Sequence, residues 1–387
     1  MRKLTLVALV LCLLVLAIVI PAYATADDQR KTEIKMGRDA VEEVERDQKF
    51  VTDPQIVERV DRIGQAIAKV ANSEAVPASY GNSEVYQFDY KFKVVADKSV
   101  NAFSLPGGFI YMNQGLLDYC QSDHELAGVL AHEVAHAAHH HMTYLLKQES
   151  KLDGQIALLL LAGMLTRVDA QNLGNLLLGA QLVRIARSSG YGQKAEADAD
   201  SSAVVYAEKA GFNAVGALTF LERLAHDYGS MPNQELGILQ SHPAPMDRCR
   251  EVETKIKSLG LPLNRRAVMN ALKAVTEPGT DDKQQITKVK LGDNVLFEPA
   301  PIEKELTSEQ RAQIIATKVN QLLDKEPVVR EITVSPDGST VMGQGEPIIV
   351  VTAQDASLIG KSADEVAQDA ALVLRRAIWR EMIERMY

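Results

Sequence analysis

His132 and His136 stand four residues apart with Glu133 directly after the first, in a stretch of good helix formers from about residue 122 to 146. Residues four apart share one face of an α-helix, so this spacing presents two imidazoles to a single point. Two neutral imidazoles and one carboxylate suit a zinc ion that keeps one coordination position open for water. Glu133 lies one residue round from the first imidazole. From there it reaches such a water without occupying the metal, which is what a general base requires. A surface helix that happens to carry two histidines is the plainer alternative.

A third donor must come from elsewhere, and residues 195–200 offer one. Glu196 and Asp200 are again four apart and share a helical face. A carboxylate ligand followed one turn later by a carboxylate that orients a ligand imidazole is a recurrent zinc-site arrangement. Asp198, between them, is expected to face solvent. Beyond His136 the chain continues into His139, His140 and His141. One helix cannot bring three successive i+4 residues equally close to one ion. His140 is therefore expected behind the ligands or in a structural role, with His139 and His141 to the sides. Further on, residues 241–248 form a proline-rich loop feeding a helix and carry His242 and Arg248. Held near a polarised carbonyl, this pair could stabilise a tetrahedral oxyanion. His242 could equally cap the open metal position and silence the site.

These residues need elements to hold them. Residues 28–50 are charged and helix-favouring, and Asp53 with Pro54 starts a second helix with Ile56, Val60, Ile63, Ile67 and Val70 at helical spacing. Residues 86–95 alternate aromatic with polar residues and read as a strand, with Tyr86, Phe88, Tyr90 and Phe92 on one face. Asn101, Ala102 and Phe103 follow, then a turn or bulge at Pro106, Gly107 and Gly108 before the strand resumes at 109–112. Proline and glycine in a strand pattern favour an edge. An edge strand beside the metal helix is a natural rail for an extended peptide, which pairs through its main chain; a hairpin without a ligand explains the pattern as well. Residues 156–165 and 173–183 are almost wholly apolar and too short to span a bilayer. They read as a buried helical hairpin, or else as a lid or membrane-contacting flap.

The chain of 387 residues is long enough for a large domain and a small one, and its net charge of −9 argues against nucleic acid as a partner. Arg2 and Lys3, an apolar run at 4–20 and the small-x-small ending Ala22, Tyr23, Ala24 read as a signal peptide cleaved after Ala24. An uncleaved anchor over residues 4–20 is the alternative. After cleavage only Cys120 and Cys249 remain, equally consistent with one disulfide or two thiols. Residues 265–275 read as one more helix. A polar linker follows, then an amphipathic helix at 307–325, two strands at 328–334 and 347–352, and a closing helix at 362–386. The expected organisation is a signal peptide at 1–24, a catalytic domain at 25–264, a linker at 265–300 and a small α-β-β-α docking or accessory domain at 301–387.

Asn101, Ala102 and Phe103 with Pro106, Gly107 and Gly108, then His132, Glu133 and His136, then Glu196 and Asp200, then His242, Pro243 and Arg248 occur in one recognisable order. Over residues 35–260 the chain resembles the gluzincin metallopeptidase family of the HtpX-type proteases, the CaaX prenyl proteases and the periplasmic β-barrel assembly-enhancing protease. It is most similar to the soluble periplasmic branch. The resemblance implies an α+β fold with a mainly helical zincin-type domain and a small edge sheet. It also implies one zinc ion per chain on His132, His136 and Glu196, with Glu133 as base and Asp200 behind the ligands. His242 and Arg248 would act on the transition state or as a latch. The reaction implied is hydrolysis of peptide bonds in misfolded or unassembled envelope proteins; a latched assembly factor with a silent site is the rival. Unlike the periplasmic relatives, the chain shows no tetratricopeptide repeats after residue 260.

Overall fold

The computed structural model describes residues 25–149, 192–230, 245–269, 271–279, 286–302 and 305–385. The leader-like segment, the two apolar runs at 156–165 and 173–183, and His242 lie outside the described residues.

Helix α1 (Ala26–Asp47) opens on a capping box between Thr25 and Asp28. Asp53 caps α2 (Pro54–Ser73) by accepting from the Gln55 N–H, with Pro54 in the first turn, where a missing N–H costs nothing. The aromatic row Tyr86, Phe88, Tyr90 and Phe92 is buried, while Gln87, Asp89 and Lys91 between them are exposed. Only its end pairs as a strand, β1 (Lys91–Val95). With β2 (Ala102–Leu105) and β3 (Phe109–Asn113) it makes a sheet of order β1–β3–β2, in which β3 runs parallel to β1 and antiparallel to β2. The expected edge position therefore holds for β2 alone, because β1 pairs with the far side of β3.

After α3 (Gln114–Tyr119) comes α4 (Asp123–Ala138), capped by Ser122, whose hydroxyl accepts from the Glu125 N–H at 3.2 Å. Every residue of α4 from Glu125 to Ala137 is buried, which makes it a central helix, not a surface one. It packs against α2, α6 (Gln193–Lys209) and α7 (Val215–Ser230), and α7 in turn packs on α8 (Pro245–Ser258). The continuous helix expected over 122–146 is broken. Chain α4 stops at Ala138, His140 adopts a left-handed backbone with φ 57°, and α5 (His141–Glu149) sets off anew. Helix α7 has no counterpart in the sequence reading. The main core joins α2, the sheet, α4, α6 and part of α7; α1, β2, β3 and α5 share a second cluster, and α7 with α8 a third.

The expected linker at 265–300 needs correction. Residues 265–267 form a single 3-10 turn instead of a helix, and β4 (Ala274–Glu277), β5 (Lys288–Leu291) and β6 (Asn294–Phe297) make an antiparallel sheet. Their buried Ala274, Val289, Leu291 and Phe297 share one apolar cluster with α9 (Ser308–Leu323) and α11 (Ala363–Arg385). The same cluster includes the sheet β7 (Ile332–Val334), β8 (Thr340–Gly343) and β9 (Glu346–Val350), which α10 (Ala353–Ile359) follows. Four-residue strands carry too few apolar residues to show a period. Cys120 and Cys249 are both free thiols. Among the described residues no helix is long and apolar enough to cross a membrane.

Candidate metal centre

His132 and His136 face each other across one turn of α4 with their Nε2 atoms 3.0 Å apart. Glu196, from the first turn of α6, meets both: Oε2 lies 3.4 Å from His132 Nε2, and Oε1 lies 3.5 Å from His136 Nε2. Donors bound to zinc at about 2.0–2.1 Å in a tetrahedron stand roughly 3.3 Å apart, and one ligand atom from each of the three residues lies within 4.8 Å of the other two, so the three side chains can share one metal. Among the described residues, Glu133, Glu196 and Asp200 are buried together with Arg248, so the site is rich in the acidic groups that a divalent cation would attract. These residues fit a metal ion.

Asp200 stands behind His132: its Oδ1 is 2.9 Å from His132 Nδ1. Arg248 forks onto the same carboxylate, with Nε and Nη2 each donating at 2.7 Å, and its Nη1 is 3.3 Å from Glu196 Oε2. Burial works against the charged form of His132, yet Asp200 and Glu196 outweigh it and raise its pKa to about 9. Burial likewise opposes the charge on Asp200, and the Arg248 guanidinium overcomes it and holds the carboxyl below its usual range. Arg248, expected to act on the transition state or as a latch, lines the same cavity as Glu133 and is held there by Asp200 and Glu196.

One expectation changes. Asp198, expected in solvent, is buried, and His139 Nδ1 lies 2.5 Å from its Oδ2. Of the two roles expected for His140, its contacts are those of the structural one. Its Nδ1 is 2.8 Å from Glu33 Oε2 on α1 and its Nε2 is 3.0 Å from the Glu84 carbonyl, because the helix ends before it. The imidazole that does reach a donor is His141, whose Nδ1 is 2.9 Å from His136 Nδ1. Helical periodicity assigned it to a side, and nothing in the sequence marks the left-handed residue that brings it back.

Glu133 lines a partly open cleft together with His132, Asp200 and Arg248, and α7 closes the far wall with Ala217, Phe220, Leu221 and Leu224. One end is thus polar and the rest apolar, as expected of a binding cleft. The five residues read as a peptide rail also carry packing contacts. Ala102 and Phe103 of β2 are buried, and Phe103 stacks on Tyr111 at 5.1 Å. The Asn101 carbonyl accepts from the Asn113 N–H. Gly107 and Gly108 take φ of 82° and 89°, and added Cβ atoms would meet the Ile34 backbone of α1 and the ring of Tyr90. Their glycine character answers to the fold.

Residues 48–256, more than half of the chain, match the model of Peptidase family M48. The chain belongs to that family. A second model, Domain of unknown function (DUF8459), matches residues 288–381, starting inside the segment read as linker. Similar M48-type sequences include the putative beta-barrel assembly-enhancing protease of Vibrio cholerae, 28% identical over 52% of this chain and 39% of that protein. The beta-barrel assembly-enhancing protease of Escherichia coli strain K12 is 24% identical over 59% of this chain and 44% of its own length. The chain thus spans about two fifths of these two relatives. Metalloprotease LoiP of the same bacterium is 25% identical over 62% of this chain and 85% of its own length. As an M48 member, the chain has its candidate donors on α4 and α6 inside the matched region, with Arg248 near its end.

Proposed function

We propose that this M48 protein is a zinc-dependent metalloendopeptidase. The reading is carried by one observation: the buried side chains of His132, His136 and Glu196 bring one donor atom each within 4.8 Å of the others, with Glu133 on the cavity wall beside them. One zinc ion bound there would supply Lewis acidity to a peptide carbonyl and to an attacking water. Glu133 takes a proton from that water and returns it to the departing amine. Asp200, 2.9 Å behind His132 Nδ1, keeps Nε2 directed at the metal, and Arg248 keeps Asp200 ionised and in place. The apolar wall of α7 holds substrate side chains and excludes water.

The test is cleavage of an unfolded model protein by the purified, zinc-loaded chain. Glu133→Gln is expected to keep its zinc and lose about 10²- to 10⁴-fold in turnover. Full activity in that variant would sink the assignment.

The leader-like residues 1–24 and relatives named for enhancing β-barrel assembly favour a place in the cell envelope, in the periplasm or outside the cell, with unassembled proteins as substrates. The C-terminal module is then the surface that docks an assembly partner, and the apolar segments at 156–183 are the ones to contact membrane. His242 acts on this site either on the transition state or as a latch, and His242→Ala separates the two. Turnover falls in the first case and rises in the second.

A further inference from the structure

Both candidate imidazole donors have their Nδ1 atoms engaged, but by different chemistry. His132 has the Asp200 carboxylate at 2.9 Å; His136 has another imidazole, His141, at the same distance. The rings of His136 and His141 stand edge to face with centroids 4.9 Å apart. An unbroken helix would turn residue 141 well away from residue 136. The left-handed backbone at His140 undoes that, and α5 begins with the His141 ring directed back.

The far side of His141 is equally determined. Its Nε2 lies 3.1 Å from Asp198 Oδ2 and 3.2 Å from the Tyr80 carbonyl. Asp198 in turn accepts from the Ser79 N–H, from the Ser79 hydroxyl at 2.9 Å and from the Tyr80 N–H at 3.2 Å. His139, His141 and Asp198 are all buried. The loop that supplies these donors passes so close that a Cβ on Gly81, at φ +82°, would meet the His139 carbonyl and the His141 ring. Helix α6 therefore serves both imidazoles of α4: Asp200 touches one directly, and Asp198 touches the other through His141.

We propose that His141, held by Asp198, is a positioning residue that accepts the Nδ1 proton of His136 and so presents His136 Nε2 to the metal. This rests on His136 being a metal ligand. With Nε2 facing the metal, the His136 proton is on Nδ1 and needs an acceptor. His141 Nδ1 must then be bare, and its own proton sits on Nε2, donated towards Asp198. No other tautomer avoids two N–H groups facing each other at 2.9 Å. A second metal on His139, His141 and Asp198 fits less well. Asp198 Oδ2 lies 2.5 Å from His139 Nδ1, closer than two donors on one tetrahedral zinc stand, and its Oδ1 is taken by Ser79 and Tyr80.

The experiment measures zinc affinity of the full chain by competition with a chromophoric chelator. His141→Phe, which fills the space without an acceptor, is expected to weaken zinc about 10- to 100-fold, and His141→Gln, which keeps an acceptor oxygen, to recover most of it. Melting of the metal-free proteins reports whether either variant has simply lost its fold. If His141→Phe does not fold, histidine nitrogen NMR of the zinc-loaded parent decides, with His141 expected in the Nε2–H form. Equal zinc binding by folded His141→Phe, an Nδ1–H form of His141, or two zinc ions per chain of which His141→Phe loses one, overturns the inference alone. A parent that binds no zinc overturns the ligand assignment and the inference with it.

Discussion

Arg248 makes three contacts to carboxylates within one buried site, so removing it does more than delete a cation. Asp200 and Glu196 would be left facing each other without compensation. Arg248→Met is expected to cost about 3–5 kcal/mol in denaturant unfolding of the metal-free protein. Adding Asp200→Asn to that variant should restore part of the loss, because the orphaned charge goes with it. Strict additivity of the two substitutions would show that the pair is not coupled. The same logic separates Arg248 from Glu133. The first is expected to move stability and zinc affinity, the second turnover alone.

At the scale of elements, α1 is tied to the break between α4 and α5. Glu33 accepts from the Thr143 hydroxyl at 2.9 Å and pairs with His140 at 2.8 Å, all three residues being buried. Burial lowers the pKa of His140, but the Glu33 carboxylate outweighs it and raises the pKa above the ordinary 6.5. A histidine whose folded pKa is raised stabilises the fold fully below its unfolded value, and the contribution disappears as pH rises through the folded value. In chelator, the melting temperature should therefore fall as pH is raised from about 6 towards 9, with Glu33→Gln flattening the slope. An unchanged slope in Glu33→Gln would mean that another group carries the pH dependence. Since α5 also carries His141, loosening α1 should relax the position of His136 as well.

Across the whole molecule, two adjacent arginines connect the M48 part to the C-terminal core. Arg265 reaches Glu222 of α7 at 2.8 Å, Glu253 of α8 at 3.4 Å and Glu326 beyond α9 at 3.1 Å. Arg266 reaches Glu381 of α11 at 2.6 Å and Asp324 at 3.3 Å. Both arginines are buried, and all their partners except Asp324 are at least largely buried, so salt screens these pairs less than surface ones. Helix α7 also forms the cavity wall, which places this junction one helix away from Glu133. Replacing both arginines by alanine should split a single calorimetric transition into two as the cores unfold separately. One unchanged transition would assign the coupling to the α7–α11 contact instead.

Much of the site was legible in the order of residues, because a helix imposes a fixed spacing. His132 with His136, and Glu196 with Asp200, announce a shared face by being four apart, and no tertiary information is needed to see that Glu133 stands beside the first. The cap Asp53 was legible for the same local reason. What periodicity cannot express is a departure from it. The left-handed residue at His140 turned His141 towards His136 and His140 away, and the side of α6 that periodicity assigned to solvent found Asp198 a buried partner. Helix α7 and the four-residue strands of the C-terminal sheets were also lost, their burial being set by distant neighbours. Sequence by itself determined which residues could hold a metal. Only the tertiary structure decided which ones hold those residues in turn, since that depends on contacts such as Arg248 to Asp200, 48 positions apart.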